Sequence, residues 1–206
     1  GTGLHPILGL GDSPDQNWQE ASWIQAFRAM RVEAIVLVAE TAERLSSKSP
    51  ASVPTVLVHC QPNDELQCDF IGLDRGEAAR LGLAHICASG RKSVVVFGST
   101  GSTFTESCRL WSQSPNGCKI QFYTTPVTTS TKMAQEYFSH YLRRRNDIDS
   151  ALFQDSGVAA SFLNLAVSSG VAIPDELSVV SYDYYPQADL LKVGLTTIEQ
   201  PLTNLA

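Results

Sequence analysis

The chain has 206 residues, 43% of them hydrophobic and 17% charged, and a net charge of −6. That composition belongs to globular material, enough for one large domain or two small ones. It excludes a surface that binds nucleic acid phosphates unaided, because an acidic protein lacks the cations that displace counterions. No apolar run approaches the roughly 18 residues of a membrane span, so no membrane partner is expected.

In chain order, short apolar runs alternate with longer helical stretches. The runs at 6–10, 34–38, 55–59, 93–97, 119–123, 151–154 and 177–182 predict strands, and the segments 17–30, 75–89, 131–144 and 157–169 predict helices. Within 75–89, Ala79, Gly82, Leu83 and Ile86 recur at i, i+3, i+4 and i+7, the spacing that lines one helix face. Met133, Tyr137, Phe138 and Tyr141 form the same kind of stripe in 131–144. Asp74, with Glu77 three residues later, reads as a capping box. Arg143, Arg144 and Arg145 close the third helix, where cations suit the negative end of its dipole. The five cysteines (Cys60, Cys68, Cys87, Cys108 and Cys118) are odd in number and lack metal-ligand spacing. They predict reduced thiols, no metal and no disulfide framework, which together with the lack of a signal-peptide pattern points to the cytoplasm. Alternation of helices with continuous apolar strands predicts an α/β fold of parallel sheets covered on both faces.

In open α/β sheets the ligand lies beyond the carboxyl ends of the strands. The residues just past the predicted strands are Asp12 and Ser13, Glu40 and Thr41, His59 and Cys60, "GSTGST" (98–103), Asp155 and Ser156, and Asp183 and Tyr184. Polar groups gathered on one rim suit a small polar ligand. Each also has a plainer role. Asp155 or Ser156 can cap the helix that follows, and His59 can be a satisfied, half-buried histidine. "GSTGST" is neither a dinucleotide fingerprint nor a phosphate loop with its lysine. Ser99, His59 and Asp183 make no catalytic triad on composition alone, since the sequence has no G-x-S-x-G nucleophile elbow. Nothing calls for an enzyme or a cofactor. "IPDELSVVSYD" (173–183) is the sharpest case: apolar strand residues run directly into the carboxylate of Asp183.

That stretch, followed by "GLTTIEQP" (194–201), resembles the effector domain of the lac/galactose repressor family of bacterial transcription regulators. "VPTVLVH" (53–59), "DRGEAARLGLAHICASGRKSVVVFG" (74–98) and "SALFQDSGVAASFLNLAVSSGVAIP" (150–174) agree, in the right order. The resemblance implies a fold like that of the periplasmic sugar-binding proteins: two doubly wound parallel-sheet subdomains with a ligand cleft between them. The subdomains would be 1–97 plus 199–206, and 98–198, with "GSTGST" as a crossover. It further implies a small-molecule effector, sugar- or nucleoside-like, held by Asp183, Asp155, Gln200, His59 and Arg109. It implies a homodimer, and contact with operator DNA only through a helix-turn-helix domain that is not in this chain. Effector binding would change the angle between the subdomains and so the spacing of two DNA-binding heads. A periplasmic solute-binding protein of the same fold is the alternative.

Several positions depart from the family pattern. An arginine is expected shortly after "GSTGST", but Glu106 falls closest to its place and Arg109 is out of register. Asp155 stands where the family has asparagine, His59 where it has aspartate, and Ser181 replaces a glycine. The family's first strand and helix have no counterpart, which implies a piece of a longer protein and a gap in the first subdomain's core.

Overall fold

The structure, a computed structural model, describes residues 5, 7, 19–38, 53–58, 68–72, 74–113, 118–125 and 130–199. The chain divides into two units, Gly1–Leu73 and Asp74–Ala206. The first contains helix α1 (Gln19–Ala29) and a parallel sheet ordered β1 (Ile35–Val38), β2 (Thr55–Val58), β3 (Asp69–Ile71). Ile24, Ile35 and Leu57 are buried there, with Phe27, Val32 and Leu37 packed against them. On the other side of β1, Val36 and Val38 are each 67% exposed. Of the strand predicted at 6–10, only Ile7 is among the described residues, and His59 at the end of the third predicted strand lies outside them.

The second unit holds five parallel strands: β4 (Ser93–Ser99), β5 (Lys119–Thr125), β6 (Ser150–Phe153), β7 (Ser178–Tyr182) and β8 (Thr196–Ile198). Their order across the sheet is β5-β4-β6-β7-β8. Counted from the first strand of the unit this is 2-1-3-4-5, one of the common doubly wound orders. Because strand side chains alternate between faces, β4 serves two cores at once. Val94 and Val96 point toward α2 (Arg75–Ala88) and α3 (Thr103–Ser112), where Ala79, Leu83, Ile86, Phe104 and Cys108 are buried. Val95 and Phe97 point toward α4 (Ser130–Arg144) and α5 (Ser156–Ser168), among Tyr137, Tyr141, Phe153, Phe162 and Leu163. Phe97 is the hub of that second core, with ring centroids 4.5 Å from Tyr137 and 4.9 Å from Phe153. Both stripes read from the sequence are therefore core faces. The α/β class with parallel sheets is borne out.

Four expectations need correction. The division of the chain falls between Leu73 and Asp74, not at 97/98, so α2 and β4 belong with the five-stranded sheet. Apolar periodicity marks a helix and a strand but carries no information on which sheet they join. "GSTGST" is no crossover: Gly98 and Ser99 finish β4, Gly101 turns with φ +75°, and Ser102 caps α3. α3 itself, β3 and β8 were not predicted. Finally, Cys87 and Cys118 form a disulfide, with their Cα atoms 5.9 Å apart, while Cys108 is a buried free thiol. These two cysteines are 31 residues apart in sequence. Only the fold, by laying the end of α2 beside the start of β5, brings them together.

The caps follow the sequence. Asp74 accepts the Glu77 amide at 2.9 Å, although the Glu77 side chain turns to Arg80 (2.6 Å) instead of closing the box. Arg145, just past α4, bonds Glu176 at 3.1 Å and holds its carboxyl below the usual range.

Candidate functional site

In a 2-1-3-4-5 sheet the strand order reverses between the first and third strands, here β4 and β6, and that is where such sheets open a crevice at the carboxyl rim. Three segments meet there. After β4, Ser102 accepts from the Thr105 amide at 3.1 Å and donates its hydroxyl to Gln154 Oε1 at 2.7 Å. The same Oε1 accepts from the Ser99 amide at 2.9 Å, so the side chain of Gln154, just past β6, ties the two strand ends together. Gly98 is required by this close approach: a Cβ there would lie 2.5 Å from Thr105 Oγ1 and 2.8 Å from Gln154 Oε1.

One residue beyond Gln154, Asp155 caps α5, accepting from the Val158 amide at 2.7 Å. Its carboxylate is exposed on the rim, so capping and ligand contact are compatible. Ser156 donates to the Tyr184 carbonyl at 3.1 Å, joining this loop to the one after β7. β6 and β7 pair with Phe153 opposite Ser181, so Asp155 and Asp183 each lie two residues past a matched pair. Neighbouring strands are about 4.8 Å apart, and the two carboxylates thus share one stretch of rim.

Asp183 sits in the left-handed region at φ +78°, where aspartate and asparagine are tolerated better than most residues. Its amide donates to the Ile198 carbonyl at 3.1 Å, and its Oδ1 accepts from the Tyr184 amide at 2.8 Å. This local turn contact occupies one carboxylate oxygen.

Tyr182, the last residue of β7, is buried with its ring stacked on Phe104 at 5.5 Å. Burial pushes its phenol up, and the positive charge of Arg75 pulls the other way. Arg75 opens α2, which packs against β7. Neither Arg75 nor Gln154 was singled out from the sequence. A polar residue directly after a strand, and a cation in the first turn of a helix, were the available signals.

Arg109 does not reach the rim. It lies in the last turn of α3, six residues and therefore about 9 Å of helix beyond Thr103. Its guanidinium rests 4.6 Å over the Phe122 ring and pairs with Glu106 at 3.5 Å. Cys108, on the inner face of the same helix, is buried, and burial pushes its thiol up to about 12. His59 and Gln200 lie outside the described residues. Among the described residues, no group of three or more His, Cys, Asp or Glu is placed to hold a metal ion, and no helix is long and apolar enough to cross a membrane.

The strand order and the helices on both faces define a doubly wound parallel α/β domain. Residues 84–206 match the periplasmic binding protein-like domain family, and the chain belongs to it. It is 24% identical over 200 residues to the ribose operon repressor of Halalkalibacterium halodurans, a match that takes in 95% of this chain and 59% of the repressor. The chain thus spans less than two thirds of that relative. Among solved structures it is similar to a LacI family transcriptional regulator from Lactobacillus casei with bound glucose, with a TM-score of 0.76 and 19% identity over 95% of this chain and 76% of that one. A periplasmic binding protein/LacI transcriptional regulator from Alkaliphilus metalliredigens, complexed with D-xylulofuranose, gives a TM-score of 0.75 and 21% identity over 93% and 71% of the two chains. The resemblance to the lac/galactose repressor family read from the sequence is borne out.

Proposed function

We propose that this chain is the effector-sensing part of a transcription regulator and takes a small hydroxylated ligand, sugar-like in chemistry, at the rim of the five-stranded sheet. The observation that carries the reading is the placement of Asp155 and Asp183 at matched positions past adjacent parallel strands. Carboxylates offer only acceptors and sugars offer many donors, and a charge-assisted bond is stronger than a neutral one. Two of the similar regulators are described with bound sugars, which supports the same ligand class here. His59 and Gln200 are carried in this proposal as further contacts. The chain performs no catalysis. It pairs as a homodimer, works in the cytoplasm and reaches operator DNA through a helix-turn-helix head outside this sequence. The Cys87–Cys118 bond suits an exported solute-binding protein instead. The repressor among the chain's relatives favours the regulator.

A thermal-shift screen against pentoses, hexoses and nucleosides tests the proposal. A true effector at about 100 times its dissociation constant adds roughly 2.7 kcal/mol of stability, a rise in Tm of roughly 5–10 °C. No rise with any compound in the panel would refute the sugar-like reading.

A further inference from the structure

The Cys87–Cys118 bond sits uneasily with a cytoplasmic protein. In that compartment glutathione keeps thiols reduced, and the disulfides that do form there are mostly transient, catalytic or redox-sensing. The bond also lies away from the candidate site. Cys87 is in the last turn of α2, and Cys118 directly precedes β5. Lys119, the first residue of β5, pairs with Ser93, the first residue of β4. The two sulfurs therefore sit at the amino ends of the strands, opposite the carboxyl rim. They join the end of a helix to a strand whose neighbour in the sheet, among the described residues, is β4 alone.

The surroundings accommodate the bond both closed and open. Cys87 and Cys118 are half-buried, so a small thiol can reach the pair. Cys118 Sγ lies 3.1 Å from the Arg91 carbonyl oxygen. A disulfide sulfur has no proton to give, but a thiol formed at Cys118 donates to that carbonyl, so opening leaves no unpaired donor there. The fold at this edge has other holds. Ile86 and Val94 are buried in one core, and the Lys119 amide donates to the Lys92 carbonyl at 2.8 Å. Arg91 donates to the carbonyls of Pro174 and Asp175, at 2.5 and 3.2 Å.

We infer that Cys87 and Cys118 form a reversible thiol–disulfide switch, opened by reduced glutathione and closed by glutathione disulfide, which sets how firmly the end of α2 and the edge strand β5 are held. In opening, one glutathione thiolate bonds to one cysteine sulfur, and the other cysteine leaves as a thiolate and takes a proton. A second glutathione thiolate attacks the glutathione sulfur of this mixed disulfide, and the remaining cysteine leaves and is protonated in turn. Glutathione disulfide departs, so two electrons pass from glutathione to the pair. Closing is the reverse. The inference rests on the cytoplasmic placement proposed above and not on the identity of the ligand.

Thiol alkylation of the folded chain, read residue by residue by mass spectrometry, tests the switch in buffers running from mostly oxidised to mostly reduced glutathione. Cys87 and Cys118 should pass together from unlabelled to labelled as the reduced form rises, and return when oxidised glutathione is restored. Cys108 is fully buried in the core and should stay unlabelled throughout, which reports that the fold is kept. Opening the bond should lower the Tm by roughly 5–10 °C, as the loop it closes implies. Cys118→Ser, whose hydroxyl keeps a donor toward Arg91, should melt at the lower temperature in every buffer. A pair that stays closed in reduced glutathione, or opens only together with Cys108, would overturn the inference and leave the bond as a permanent brace. A pair that never closes in oxidised glutathione would overturn it too, as would equal Tm values for the open and closed forms. None of these results touches the sugar-sensing reading, and a thermal-shift screen in which no sugar binds would leave the switch standing.

Discussion

β1 and β4 look alike as sequence, "IVLV" against "SVVVF", yet the two units treat them differently. In the five-stranded unit, Val94, Val95 and Val96 are all fully buried, because α2 and α3 cover one face of the sheet and α4 and α5 the other. In the three-stranded unit, Ile35 is buried while Val36 and Val38 stand 67% exposed. An apolar run thus states that a strand can be buried on two faces; what covers it is decided elsewhere in the chain. Burial of apolar area is the main stabilising term, at about 25 cal/mol per Å². Stability should therefore be concentrated in the second unit, which also carries the candidate site.

The largest expected effect sharpens this contrast. Phe97→Ala removes a ring packed on Tyr137 and Phe153 and should cost about 3–5 kcal/mol in denaturant unfolding. Val36→Thr should stay within about 0.5 kcal/mol, as for other exposed positions. Similar losses from the two would break the comparison. Hydrogen exchange offers a second check. Amides of β4, β6 and β7 should exchange only through the most costly opening, and those of β1 and β2 through cheaper local ones.

Gly98→Ala comes next. Its Cβ would collide with Thr105 Oγ1 and Gln154 Oε1, so the rim must shift, at about 1–3 kcal/mol by overpacking. Asp155→Ala should lose about 1 kcal/mol with the α5 cap, whereas Asp155→Asn, which keeps an acceptor, should lose only a few tenths. Equal losses would place the carboxylate's charge, not its capping oxygen, at the origin of the effect.

The smallest effect is a pH dependence. Burial first, then Arg143 and Arg144, hold His140 below its ordinary 6.5, so the unfolded chain takes up a proton there that the folded chain resists. Stability should therefore decline as pH drops below about 6.5. His140→Gln should decline less between pH 7.5 and 5.5, read from urea midpoints. An unchanged slope would mean that His140 titrates normally.

Much of the second unit was legible because its helices bury long regular stripes: Tyr137 and Tyr141, or Leu83 and Ile86, could not be arranged otherwise. α3 was passed over because Thr103, Thr105, Ser107 and Cys108 are weak helix formers, although Phe104, Cys108 and Trp111 keep the i, i+4, i+7 spacing. The subdomain boundary and the Cys87–Cys118 pair depend on which strands become neighbours, a non-local fact that no local pattern encodes. At the site, Asp155 and Asp183 were visible as charges ending apolar strands. Gln154 passed as one more strand residue.

Asp183→Asn tests the central claim most directly. Asparagine tolerates the left-handed backbone at this position and can still accept from the Tyr184 amide, so the turn should survive with little loss of stability. The charge-assisted bond to a ligand hydroxyl should not. In calorimetry with the sugar that binds the unmodified chain, affinity is expected to fall roughly ten- to a hundredfold, the loss of about 1.5–3 kcal/mol. An unchanged dissociation constant would contradict the account, leaving Asp183 as a turn residue and placing the ligand elsewhere.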